Sequence, residues 1–213
     1  MAYHHGDLRR ALLQGAIELL AEGGPAHLTM RGAAQRAGVS PAAPYRHFTD
    51  KREMLAAVAE EGFLALERAC VAAVGEGVED PVEAFWRRGV AYVRFAIEHP
   101  AHYRVMFGPE IPDKRAYEDL YRAATSAYEA LRSSLRACVS AGLFGEDQVE
   151  LRAMRAWAEV HGLASLFLDG QFNVEDVISK EAFLVRVGEV LRLEAQVLEK
   201  GADTLSRARR PAL

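Results

Sequence analysis

Apolar residues recur three or four positions apart along almost the whole chain, and no stretch alternates apolar with polar long enough to read as a strand. The pattern predicts an all-α fold of about nine helices. The first helix is expected from about Asp7 through Leu8, Leu12, Ala16, Leu19 and Leu20, stopping at Gly23 and Gly24 before Pro25. The second begins with Thr29 as its cap, carries Met30, Ala33, Ala34 and Ala37 on one face, and ends at Gly38. A third, capped by Ser40, is expected over Ser40–Phe48. Only Gly38, Val39 and Ser40 separate the second helix from the third, the tight connection of a helix-turn-helix, with Val39 as the apolar plug of the turn.

Beyond Lys51 the apolar stripe Leu55, Val58, Gly62, Leu66, Ala69, Ala73 predicts a long helix ending in the glycine-rich stretch 75–80. Asp80 then caps a helix bearing Val82, Trp86, Val90, Val93 and Ile97, which His99–Pro100 terminates because a residue before proline disfavours α geometry. A short helix over 101–107 and a loop lead to a long helix carrying Tyr117, Tyr121, Ala124, Tyr128, Leu131, Leu135 and Cys138, closed by Gly142. Two more, roughly Asp147–Leu168 and Lys180–Lys200, complete the pattern. Three segments follow: 1–52, a helix-turn-helix unit; 53–200, a second helical domain; and 201–213, a polar tail expected to be disordered.

Composition narrows the picture. The chain has 213 residues, half of them hydrophobic, enough for a substantial core. Its net charge of −4 hides an asymmetry: residues 1–55 hold seven Lys/Arg against five Asp/Glu, a balance of +2, so the remainder carries −6. No window approaches the ~18 apolar residues of a membrane span, and residues 1–6 lack the regions of a signal peptide, so a soluble, cytoplasmic protein with no membrane partner is expected. Cys70 and Cys138 sit in apolar stripes without metal-ligand spacing and read as buried thiols.

The chemistry concentrates in "AGVSPAAPYRHFTDK", residues 37–51. The second helix of a helix-turn-helix can enter a major groove with its first residues near base edges while flanking groups bind phosphates. Pro41 at the first helical position pre-sets φ without losing a bond. Pro44, at the fourth, cannot bond the Ser40 carbonyl, which predicts a distorted or tightened first turn. So short a helix must be held by packing, for which Tyr45 and Phe48 are the candidate anchors. The short side chains of Pro41, Ala42, Ala43 and Pro44 would admit close backbone approach and contact with thymine methyls, leaving bidentate readout to Arg46 or Arg31. Lys51, beginning the next helix, would combine a cation with free backbone N–H groups as a phosphate site.

The segment "LTMRGAAQRAGVSPAAPYRHFTDKREML" resembles the DNA-binding segment of the TetR (tetracycline-repressor) family of bacterial transcriptional regulators, over roughly residues 7–55. The resemblance rests on Thr29, Ala37-Gly38-Val39-Ser40, Tyr45, His47-Phe48, Lys51 and Leu55. It implies that Tyr45, His47 and Lys51 touch phosphates and that Arg31, Pro41, Ala42, Ala43 and Arg46 lie near bases. Ala42, Ala43 and Pro44 depart from the residues many members carry, so no base preference is transferred. "YHHGDLR" and "WAEVHG" (157–162) also resemble a subgroup named for Trp, His and Gly in its C-terminal domain.

Such a resemblance implies a homodimer on a pseudo-palindromic double-stranded DNA operator, joined by its last two long helices, and a small-molecule effector held in the C-terminal domain. "AEVHGLASLFL" and "FLVRVGEVLRLEAQVL" carry more apolar surface than one face of a monomer helix needs. The candidate effector lining is aromatic and sulfur-rich: Trp86, Tyr92, Phe95, Tyr103, Met106, Phe107, Tyr128, Trp157 and His161, with Phe85 and Tyr121 beside them. At helical spacing the same residues can equally be core. His99 and His102 lie three apart, but Pro100 stands between them and no third ligand is evident, so no metal and no cofactor are expected. No phosphate-cradling loop, nucleophile elbow or Cys/His constellation marks an enzyme. A helical enzyme, or an interaction module that binds no DNA, is the alternative.

Overall fold

A computed structural model of the chain describes residues 5–75, 77–172 and 178–193. All regular structure among them is helical, in eight α-helices: α1 (His5–His27), α2 (Met30–Arg36), α3 (Lys51–Val74), α4 (Pro81–Glu98), α5 (Pro100–Phe107), α6 (Glu118–Ser140), α7 (Val149–Leu168) and α8, helical from 180 through 193. The tail 201–213 and the expected last turns at 194–200 lie outside the described residues.

Two compact units emerge: residues up to Ala65 together with His99–Thr125, and Leu66–Glu98 together with the described residues from Ser126 onward. In the first, α1 buries Leu12, Leu13, Ala16 and Leu20, and α2 buries Met30, Ala33 and Ala34. Their close crossing depends on Gly15, where a Cβ would stand 2.8 Å from Arg36 Cβ and 2.9 Å from the Ala33 carbonyl oxygen. Helical geometry in α1 breaks at Gly23 and Gly24, the latter at φ +67°, as the glycine pair predicts. The Thr29 hydroxyl accepts from Gly32 N–H at 2.9 Å and so caps α2. Gly38, at φ +67°, ends it in a Schellman motif: Gly38 N–H donates to Gln35 O (3.2 Å) and Val39 N–H to Ala34 O (3.0 Å).

Residues 54–59 of α3 are buried on every side, and α5 packs against α1 and α3 through Tyr103, Val105 and Met106. Gly62 makes that approach possible, since a Cβ there would meet Met106 Sδ at 2.5 Å. In the second unit Val82, Leu135, Cys138, Phe144, Val149 and Ala153 form a continuous core. The Asp80 carboxylate caps α4 by accepting from Val82 N–H at 2.9 Å. α4 lies on α7, and a Cβ at Gly89 would stand 2.8 Å from Leu191 Cδ1 and 3.4 Å from Val160 Cγ1. Phe167 and Phe183 stack at 4.5 Å between α7 and α8. Both cysteines are free thiols, and burial pushes each up to about 11.

One expected element does not form: the α-helix over Ser40–Phe48. The chain there runs through turns into a single 3-10 turn, Pro44–Arg46. Without an N–H, Pro44 leaves the Ser40 carbonyl to accept from Ala43 N–H at 2.9 Å, a three-residue step. That step persists: Arg46 N–H donates to Ala43 O (3.2 Å) and His47 N–H to Pro44 O (2.9 Å). The eight α-helices, rather than about nine, follow from this one substitution of turn for helix.

Candidate nucleic-acid interface

Tightening the turn decides which side chains face out. Pro44 is fully buried and Phe48 is 3% exposed, so these two anchor the turn to the body beneath. Tyr45 is 59% exposed and anchors nothing, which corrects its expected role in packing. Ala43, expected near the bases, is turned inward at 9% exposure. Pro41, Ala42, Arg46 and, on α2, Arg31 are exposed; His47 and Lys51 are half-buried. The structure thus gathers Tyr45, Arg46, His47 and Lys51 on and just after one buried turn.

Two features around the turn were missed by sequence reasoning. One Glu53 carboxylate oxygen, Oε2, accepts from both the backbone N–H and the hydroxyl of Thr49, each at 2.6 Å. Asp50 Oδ1 accepts from Glu53 N–H at 2.9 Å, capping α3. The bonds from Thr49 hold the Glu53 carboxyl below its ordinary value. The signal was legible, because an acidic cap followed three residues later by glutamate is the pattern of a capping box. The other feature is Arg9 of α1, whose guanidinium lies 5.6 Å from the centre of the Phe48 ring and 3.8 Å from Glu60 Oε2. Nothing in the sequence marked it.

The expected effector residues divide between the units. Tyr103 and Met106 are buried in the first, with Phe107 edge-on to Phe63 at 5.5 Å and 5.1 Å from Tyr103. Phe95 is buried in the second, and Trp86 lies there beneath the Arg192 guanidinium at 4.5 Å. Four residues of that unit form a chain: the Tyr92 hydroxyl and His161 Nδ1 share a hydrogen bond of 3.0 Å, and rings adjoin from His161 to Trp157 (6.2 Å) and Trp157 to Tyr128 (5.8 Å). Burial pushes His161 below its ordinary value, which favours the uncharged imidazole. The His99 and His102 rings meet edge-on at 6.0 Å, and no group of three potential metal ligands occurs among the described residues. No described helix is long and apolar enough to cross a membrane.

A helix-turn-helix that presents a tyrosine, an arginine and a histidine at one packed turn and a lysine at the start of the next helix, joined to further helices, defines a DNA-binding transcriptional regulator. Two family descriptions match: "Bacterial regulatory proteins, tetR family" over residues 12–58 and "Tetracyclin repressor-like, C-terminal domain" over 85–187. The chain belongs to the tetR family of bacterial regulatory proteins. It is similar to a structure of a protein with unknown function from Rhodococcus sp. RHA1, with 31% identity and TM-score 0.77, covering 94% of this chain and 98% of that one. The TetR family regulator PfmR of Thermus thermophilus is similar at 25% identity and TM-score 0.63, over 89% of this chain and 97% of that one. The nucleoid occlusion factor SlmA of Marinobacter nauticus is 28% identical over 165 residues, 78% of this chain and 82% of SlmA.

Proposed function

We propose that the protein is a cytoplasmic homodimeric repressor that binds a pseudo-palindromic operator and is released by a small-molecule effector. The observation that carries this reading is the turn itself: Pro44 and Phe48 are buried while Tyr45 and Arg46 face outward. Tyr45, His47 and Lys51 hold phosphates and set the register; Arg31, Arg46, Pro41 and Ala42 lie at base edges and choose the sequence. Residues 1–52 are the DNA-binding domain, 53–200 the effector-binding and dimerisation domain. The motif Trp157–Gly162 supports placing the chain in the subgroup named for Trp, His and Gly.

Dimerisation is supported by apolar side chains left in solvent on the last two helices. Leu151 and Met154 of α7 are 71% and 58% exposed, and Val185 and Leu193 of α8 are 63% and 64% exposed. Along α7, a Cβ at Gly162 would meet nothing within 4 Å, which leaves room for a second backbone. An aromatic chain with a hydrogen-bonded Tyr92–His161 pair suits an uncharged or weakly polar effector. To loosen DNA binding about 100-fold, that effector must favour the non-binding state by about 2.7 kcal/mol, an ordinary coupling.

Transcription in a purified system from a promoter carrying the selected operator tests this reading. Repression by the protein, relieved by a compound whose effect is lost in Tyr92→Phe or His161→Ala, is the expected result. Transcription that rises on adding the protein would overturn the repressor assignment.

A further inference from the structure

We propose that Glu53 is a positioning residue for DNA recognition: by holding Thr49 it fixes the Pro44–His47 turn in register with Lys51 at the start of α3. The inference rests on the DNA-binding reading above but assigns a role to a residue that touches no DNA.

The geometry argues for it in three steps. Tyr45 and His47 lie before Thr49 and Lys51 lies after it, so all phosphate-binding side chains pivot about residues 48–50. Thr49 and Asp50 are exposed, and packing cannot hold them. What holds Thr49 is Glu53, through two hydrogen bonds of 2.6 Å to one carboxylate oxygen, with the return bond from Glu53 N–H to Asp50 at 2.9 Å. Phe48, immediately before, is fixed independently by burial and by the Arg9 guanidinium over its ring. The loop is therefore pinned at both ends, by an apolar contact and by a carboxylate.

Charge makes the role distinctive. A carboxylate beside a phosphate-binding surface repels DNA, so on Coulombic grounds alone its removal strengthens binding. Here the Glu53 charge is engaged by two donors from Thr49, and Arg9 opposes it electrostatically. Its bonds to Thr49, not its charge, define its place beside the turn.

The test compares Glu53→Ala and Glu53→Gln with the wild-type dimer, on the operator recovered by selection from random duplexes and on a scrambled duplex, at a temperature where every variant is fully folded. Glu53→Ala is expected to lose about five-fold in operator affinity, the loss expected for one helix-cap interaction, while binding the scrambled duplex at least as tightly. Glu53→Gln keeps an oxygen that can accept from Thr49, and is expected to restore most of the ratio between the two duplexes. Amide exchange at Thr49 should quicken in Glu53→Ala without any DNA present. Tighter operator binding by Glu53→Ala, or an unchanged ratio with a lowered melting temperature only, would overturn the proposal. If the wild type selects no operator, the DNA-binding reading fails instead, and the Thr49 exchange measurement still decides whether Glu53 holds the loop.

Discussion

Replacing Pro44 by alanine probes the step from sequence to site most sharply. The proline is fully buried, so the change removes two ring methylenes from the interior, at about 0.8 kcal/mol each. It also frees the unfolded chain by about 0.4–1 kcal/mol. A restored N–H gains little, because the Ser40 carbonyl it would reach already accepts from Ala43 at 2.9 Å. The net loss is about 2 kcal/mol, which in native-state amide exchange corresponds to about 30-fold faster exchange for the most protected amides, those that open with the whole segment. Both tryptophans, Trp86 and Trp157, lie in the second unit, so tryptophan fluorescence does not report locally on the turn. Exchange at Leu12, Leu13 and Ala16 of α1 is the suitable readout, since all three are buried in the same unit as the turn. Exchange that stays unchanged or slows in Pro44→Ala would refute the reasoning, because the proline would then be a defect in a helix rather than the cause of a turn.

Other expectations follow from the same geometry. Lys51→Ala should weaken binding to all duplexes alike and lower the salt slope by about one, whereas Arg46→Ala should relax preference at particular positions; titrations at several salt concentrations and repeated selections separate the two. Gly62→Ala should destabilise the first unit by about 1–3 kcal/mol because the new Cβ falls 2.5 Å from Met106 Sδ, and in urea titrations the buried Met106→Ala should cost less in that background than in the wild type. His102 is pushed below the ordinary value of 6.5 chiefly by burial, with Glu61 opposing and His99 adding to the shift. Its folded state therefore prefers the neutral ring, and the unfolded chain takes up a proton first. Stability should be full above about pH 6.5 and fall as the pH drops below it, and His102→Gln should flatten that decline; an equal slope in the variant would assign the effect elsewhere.

Helix boundaries were legible where a single residue dictates the backbone. Thr29 and Asp80 each supply a capping oxygen, Gly38 and Gly142 take positive φ, and Pro100 ends α4 at Glu98. The segment Ser40–Phe48 was legible as a distortion but not as a turn, because three residues of 3-10 geometry leave no periodicity to read. Which side chains face outward was hidden for the same reason. A tyrosine and a phenylalanine three apart look like one apolar face on an α-helix, whereas the actual turn buries Phe48 and exposes Tyr45. The division of the chain at Ala65 and His99 was also illegible, since α3 runs unbroken past Ala65 and no composition shift marks the point.

The central claim is that one buried turn presents Tyr45, Arg46 and His47, with Lys51, to a major groove. Selection of bound fragments from random duplex DNA by the purified protein tests it most directly. The account predicts a pseudo-palindromic consensus whose half-sites are related by a two-fold axis, and whose recovery is lost when Tyr45 and Lys51 are both replaced by alanine. Recovery of no consensus at moderate salt would contradict it, as would a consensus unaffected by those two changes.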